Sequence, residues 1–118
     1  MPLNIQEDHY WLFGQVYSVL AFFAADPQAS ISRLGGERIL VPDDQSNELS
    51  EMLRAILHNY SGAADLEVIQ AATKIDQMLG ERTAHEKLFD PTFWTNRGFI
   101  RHPDWATIRQ MSREFLLR

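Results

Sequence analysis

Histidine and carboxylate side chains are the residues of this sequence that could do metal or acid–base chemistry. Helical bundles collect metal ligands of these types from facing helices. However, the sequence contains no H-E-x-x-H or E-x-x-H pattern and no histidine pair at i and i+4, the spacings that bring two ligands to one helix face. We therefore predict no metal site and no cofactor. Whether the four histidines converge stays open at this stage; they are His9, His58, His85 and His102.

Other catalytic arrangements are also missing from the sequence. No serine lies in a G-x-S-x-G context, so none is marked as an activated nucleophile. The absence of cysteine excludes thiol catalysis, disulfides and zinc–thiolate sites. Gly35-Gly36 lacks the lysine spacing of a phosphate-binding loop and predicts a turn. A protein without catalytic activity is favoured, and the alternative is a ligand-binding or metal-binding bundle, an enzyme that uses core histidines and carboxylates.

A segment rich in aromatic residues and arginine, Phe89 to Trp105, is the most unusual part of the chain. Tryptophan, tyrosine and arginine are enriched at binding hot spots. The aromatic side chains either pin a long loop to the core or form a partner surface, and both hold if the aromatics anchor the loop while the arginines face outward. The residues predicted to bind a protein partner are Trp94, Arg97, Phe99, Arg101 and Trp105.

By elimination, this surface favours a small bacterial-type adaptor or inhibitor, such as a toxin-neutralising partner, that binds a protein of unknown identity. The net charge is −5, and residues 1–60 hold eight acidic side chains against three arginines. An acidic chain repels phosphate backbones, so a nucleic-acid-associated regulator that uses the C-terminal arginines is the least favoured alternative.

Helices are predicted to position all of these residues. With 118 residues, 45 % of them hydrophobic, residues 1–118 suit a single domain with one core. Apolar residues recur with the helical period, which predicts an all-α bundle of four to five helices with irregular connections near 26–42 and 90–102. Within the first connection, Gln28 to Leu34 is also compatible with a short helix that Gly35-Gly36 ends. Gly80 is expected either to end the third helix or to kink one continuous helix. The last helix is expected to place Arg109 and Arg113 on its outer side.

The first helix is apolar on every side, which favours either burial in the bundle or a self-association surface. Burial is the favoured interpretation, and the alternative is a homodimer through this helix, because its small residues Gly14, Ser18 and Ala21 share one stripe where another helix can approach closely. The uncharged run from Tyr10 to Ala25 has sixteen residues, fewer than a bilayer-spanning helix needs, so no membrane association is expected. The lack of cysteine favours a cytoplasmic location.

Overall fold

The computed structural model describes residues 10–34, 40–84 and 90–117. In these ranges the chain forms six α-helices and two 3₁₀ helices without a β-strand, which confirms the all-α prediction. The α-helices are α1 (Tyr10–Ala24), α2 (Pro27–Arg33), α3 (Val41–Asn59), α4 (Glu67–Ala84), α5 (Asn96–Arg101) and α6 (Pro103–Leu116). The 3₁₀ helices are Ala63–Asp65 and Pro91–Trp94.

Helix α1 packs against α6, α3 and α4. Val16, Leu20 and Phe23 on its inner side are fully buried. Burial of each large apolar side chain stabilises the fold by about 1.5–3 kcal/mol. The apolar composition of α1 therefore reflects a position at the centre of the bundle, although one of its faces stays open.

Helix α3 begins with Pro42 in its first turn, where the missing N–H of proline is tolerated, and Asp43 and Asp44 favour the positive end of the helix dipole. Its predicted apolar face is buried at Leu49 and Ile56. Leu57, which the same helical pattern includes, is 42 % exposed. The apolar stripe of α3 is therefore wider than the surface that its neighbours cover.

Helix α4 continues through Gly80, so the predicted break at this residue is wrong and the alternative, a continuous helix, is the one observed. Leu79 is buried, and Arg82, one turn later on the helix, forms an ion pair with Asp104 of α6. These contacts on both sides of the glycine outweigh the roughly 1 kcal/mol by which glycine destabilises a helix interior.

The predicted connection at 26–42 contains α2, and residues 35–39 lie outside the described residues. Asp26 caps α2, because its carboxylate accepts a hydrogen bond of 3.0 Å from the backbone N–H of Ala29. Pro27 then occupies the first turn. A capped turn with a proline at its start can form a helix too short to show a clear apolar period.

The predicted connection at 90–102 is also mostly helical, unlike the irregular conformation expected from the sequence. Asp90 caps the second 3₁₀ helix by accepting a hydrogen bond of 2.9 Å from the N–H of Thr92. Thr95 caps α5, since its hydroxyl oxygen accepts a bond of 3.0 Å from the N–H of Gly98. Successive polar caps thus fold this segment into short helical turns.

Candidate interaction surfaces

The five residues predicted to bind a partner do not share one surface. Phe99 and Trp105 are fully buried, so the prediction that they contact a partner needs correction. Trp94 is half-buried, whereas Arg97 and Arg101 are exposed. Partner binding through the two arginines stays a prediction.

The buried aromatic side chains form a continuous cluster that joins α1 to the segment 91–105. Phe93 stacks on Trp105 with 4.7 Å between ring centroids, and Phe99 stacks on Phe22 of α1 at 4.9 Å. The indole N–H of Trp105 donates a hydrogen bond of 2.8 Å to the carbonyl oxygen of Phe93. This bond satisfies the one polar atom of the buried indole, which is why the tryptophan can lie in the core.

Arg109 belongs to the same packing and does not lie on the outer side of α6 as predicted. Its guanidinium donates a bond of 2.9 Å to the carbonyl oxygen of Phe99 and lies 5.4 Å from the centre of the Phe99 ring. Burial lowers the pKa of Arg109, and so does the nearby charge of Arg113, while Asp26 opposes the shift. The Nε of Arg113 donates a bond of 2.6 Å to the carbonyl oxygen of Ala24, which ties α6 to the end of α1.

The outward side of α1 is an exposed surface of aromatic and small residues, which we call the open face. Trp11 is 60 % exposed and Tyr17 is 47 % exposed. The open face carries no charged side chain; its members are Trp11, Gly14, Gln15, Tyr17, Ser18 and Ala21. The sequence indicated that few neighbours exist to cover an all-apolar helix, but it did not identify Trp11 and Tyr17 as the uncovered residues.

A groove of about 570 Å³ lies between α4 and α6. Phe115 of α6 lines this groove and lies 6.0 Å from Tyr17, ring centre to ring centre. Leu57, Ile75 and Met111 provide further apolar lining. The contact between Tyr17 and Phe115 thus connects the open face to a groove of mixed lining, which Glu67, Lys74 and Glu114 also border.

The described histidines do not belong to a metal-binding cluster. Within residues 10–34, 40–84 and 90–117, no three histidine, aspartate or glutamate side chains are placed to hold a metal ion. His58 is exposed in the last turn of α3, and His102 lies between α5 and α6. His9 and His85 lie outside the described residues.

Asp76 is a half-buried carboxylate between α4 and α3. Burial raises its pKa, whereas a hydrogen bond with Ser50 and the charge of Arg54 lower it. Because these two neighbours both belong to α3, the carboxylate takes part in helix packing.

Several polar and charged side chains meet at the N-terminal end of α6. The Nδ1 of His102 accepts a hydrogen bond of 3.1 Å from the N–H of Asp104, and the imidazole meets the Phe93 ring edge-on at 5.1 Å. Arg82 pairs with Asp104 and lies 4.7 Å from the centre of the same ring. Burial lowers the pKa of His102, the charge of Arg82 lowers it further, and Asp90 opposes both.

Comparison with known proteins identifies no relative: no protein-family model matches the chain, and no curated protein or solved structure is significantly similar to it. None of the helices in the described ranges has the length and continuous apolarity that crossing a membrane requires. The surfaces themselves therefore carry the functional argument.

Proposed function

We propose that this protein acts by binding protein, and that the open face of α1 binds a second copy of the chain. The observation that carries the proposal is the exposure of Trp11 and Tyr17 on a helix face without charge. Aromatic residues of these types supply about 150–250 Å² of buried surface each and dominate interface energetics. Their exposure to water is unfavourable until a partner covers them.

The open face is complementary to itself. Trp11 stands near one end of α1, while the small residues Ser18 and Ala21 follow towards the other end. A two-fold symmetric pair of antiparallel helices places the large residue of each copy beside the small residues of the other. The hydroxyl of Ser18 already donates a bond of 3.1 Å to the carbonyl oxygen of Gly14, so its burial leaves no donor unsatisfied.

The size of the face sets the strength of the dimer. A helix of 15 residues is about 22 Å long, and one such face is smaller than the roughly 800 Å² per partner of a standard stable interface. Phe115, in contact with Tyr17, and the exposed Leu117 extend the apolar surface towards the end of α6. The proposal is therefore a concentration-dependent dimer centred on α1 and completed by the end of α6.

Such a dimer leaves α5 accessible for a different partner. Arg97 and Arg101 are spaced i, i+4 on α5 and are exposed. Two copies of this arginine pair on one dimer suit an adaptor or inhibitor that binds an acidic protein surface, because paired cations complement carboxylates.

The dimer is tested by sedimentation equilibrium over a range of protein concentrations. We expect the wild type to dimerise and Ser18→Glu to remain monomeric with unchanged helical circular dichroism, because the new carboxylate would be buried unpaired. Ser32→Glu is the matched control: Ser32 is an exposed helical serine on α2, and the substitution changes the net charge equally. Trp11→Ala should weaken the dimer by about tenfold or more.

Two results would contradict the proposed dimer. A wild type that stays monomeric up to millimolar concentration shows that the open face does not bind itself. Equal dissociation of the Ser18→Glu and Ser32→Glu variants shows that net charge, and not the open face, controls the assembly.

A further inference from the structure

We propose that His102, between α5 and α6, acts as a pH-dependent switch, because protonation of its side chain removes the N-terminal cap of α6. We call this cap the latch. The residue occupies the single position between the two helices, after Arg101 and before Pro103. Its Nδ1 accepts a hydrogen bond from the backbone N–H of Asp104 and thereby caps α6. In this state the ring is neutral, since an imidazole nitrogen accepts a hydrogen bond only when it carries no proton.

Protonation of the ring removes this cap. Both ring nitrogens of a histidinium are donors, so Nδ1 and the N–H of Asp104 would then face each other as two donors. The new positive charge would also stand at the positive end of the helix dipole. Both changes destabilise the first turn of α6.

Among the described residues, the charged groups around His102 shift its pKa in opposite directions. Arg82 of α4 and His102 contact the same Phe93 ring, so a histidinium would stand near a second cation. Asp90, which precedes the second 3₁₀ helix, attracts the proton, and the carboxylate of Asp104 is already paired with Arg82. Burial and Arg82 prevail over Asp90 and lower the pKa of His102 below its ordinary 6.5.

The direction of this shift fixes the pH range in which the latch operates. The imidazole binds a proton more readily in the unfolded chain than in the folded one, so its contribution to stability is complete above pH 6.5 and declines as the pH falls from there through the folded-state pKa. Trp105 remains held by its bond to the carbonyl oxygen of Phe93. Acid therefore opens the joint locally, beside the arginine pair of α5.

Nuclear magnetic resonance of the full chain between pH 8 and pH 5 tests the latch. We expect the His102 imidazole to titrate below its ordinary 6.5, and the amide signal of Asp104 to shift with the same midpoint because the two groups share a hydrogen bond. A titration midpoint at or above 6.5 would show that the attraction of Asp90 for the proton outweighs burial and the charge of Arg82. An Asp104 amide signal that does not change during the titration would show that no cap is lost.

Urea unfolding of two variants provides a second test. Asparagine is a good N-cap without a titrating ring, so between pH 7 and pH 5 the unfolding constant of His102→Asn should rise less than that of the wild type. His58→Gln removes an exposed imidazole at the end of α3 and should follow the wild type. If the free energy of unfolding of His102→Asn falls between pH 7 and pH 5 as much as that of the wild type, the latch is absent. His102→Ser supplies the same comparison if the asparagine variant does not fold.

Discussion

At the scale of single residues, the close packing of segment 90–105 depends on two features of its composition. Gly98 lies against the backbone of Thr92, where a Cβ atom would overlap the carbonyl oxygen. The buried Trp105 needs the carbonyl oxygen of Phe93 as its hydrogen-bond acceptor. The second 3₁₀ helix can therefore pack on α5 and α6 only because Gly98 has no side chain and because the indole N–H of Trp105 has a backbone acceptor.

Replacement of Gly98 by alanine should destabilise the protein by about 1–3 kcal/mol or more, because the added methyl group meets backbone that has little room to move. Gly80→Ala is the matched control, since nothing lies within 4 Å of a Cβ atom at Gly80 in α4. The free energy of unfolding of Gly80→Ala should be higher than that of the wild type by about 0.5–1 kcal/mol, the usual stabilisation when alanine replaces glycine within a helix. Urea unfolding followed by circular dichroism measures both changes, and a Gly98→Ala variant as stable as the wild type would contradict the close contact.

At the scale of elements, periodicity locates an apolar face but does not show how much of it is covered. Ile56 and Leu57 are adjacent in α3 and belong to the same apolar pattern. Ile56 is fully buried against the core, whereas Leu57 lies at the edge of the groove. The difference arises because α4 and α1 pack on one part of α3 only.

Ile56→Ala should lower the free energy of unfolding by about 2–5 kcal/mol, the range found when a large buried side chain is truncated. Leu57→Ala should lower it by no more than about 1 kcal/mol, because much of that side chain is already in water. The two substitutions remove aliphatic groups of equal size from neighbouring positions. Similar losses in both, measured by chemical denaturation, would show that α3 is rotated relative to its described orientation.

At the scale of the whole molecule, the charge distribution affects association in a predictable way. Each copy carries a net charge of −5, yet the open face of α1 has no charge. We therefore expect two copies to repel each other at long range and, in the proposed dimer, to attract each other at short range. Charges are screened over about 30 Å at 0.01 M salt and about 8 Å at 0.15 M, so added salt reduces the repulsion without weakening apolar contact.

The proposed dimer should consequently tighten as salt is raised from low to physiological concentration, by roughly threefold, which corresponds to less than 1 kcal/mol. Sedimentation of the wild type at several salt concentrations measures this trend. The Ser18→Glu variant should remain monomeric throughout. A dimer that weakens with salt would instead depend on ion pairs between the copies, and the open face would not be its main contact.

The sequence alone predicted the helical class and most of the long helices, because the 3.6-residue period of apolar positions is a local property. It also excluded cysteine chemistry and showed no catalytic motif. Of the short helices, α2 was indicated only as an alternative within a connection expected to be irregular, and α5 was not predicted. In α2 and α5, polar caps such as Asp26 and Thr95 determine the conformation, and too few residues are present to show a period.

Only the tertiary structure decided which aromatic and charged residues are exposed to solvent. Phe99 and Trp105 were themselves predicted to bind a partner, yet α1 covers them. Trp11 lies in a strongly apolar helix, yet 60 % of it is exposed. Arg109 was expected outside and instead packs on Phe99, because α5 folds back against α6. Burial depends on which elements pack together from distant parts of the chain, and periodicity within one helix does not contain that information.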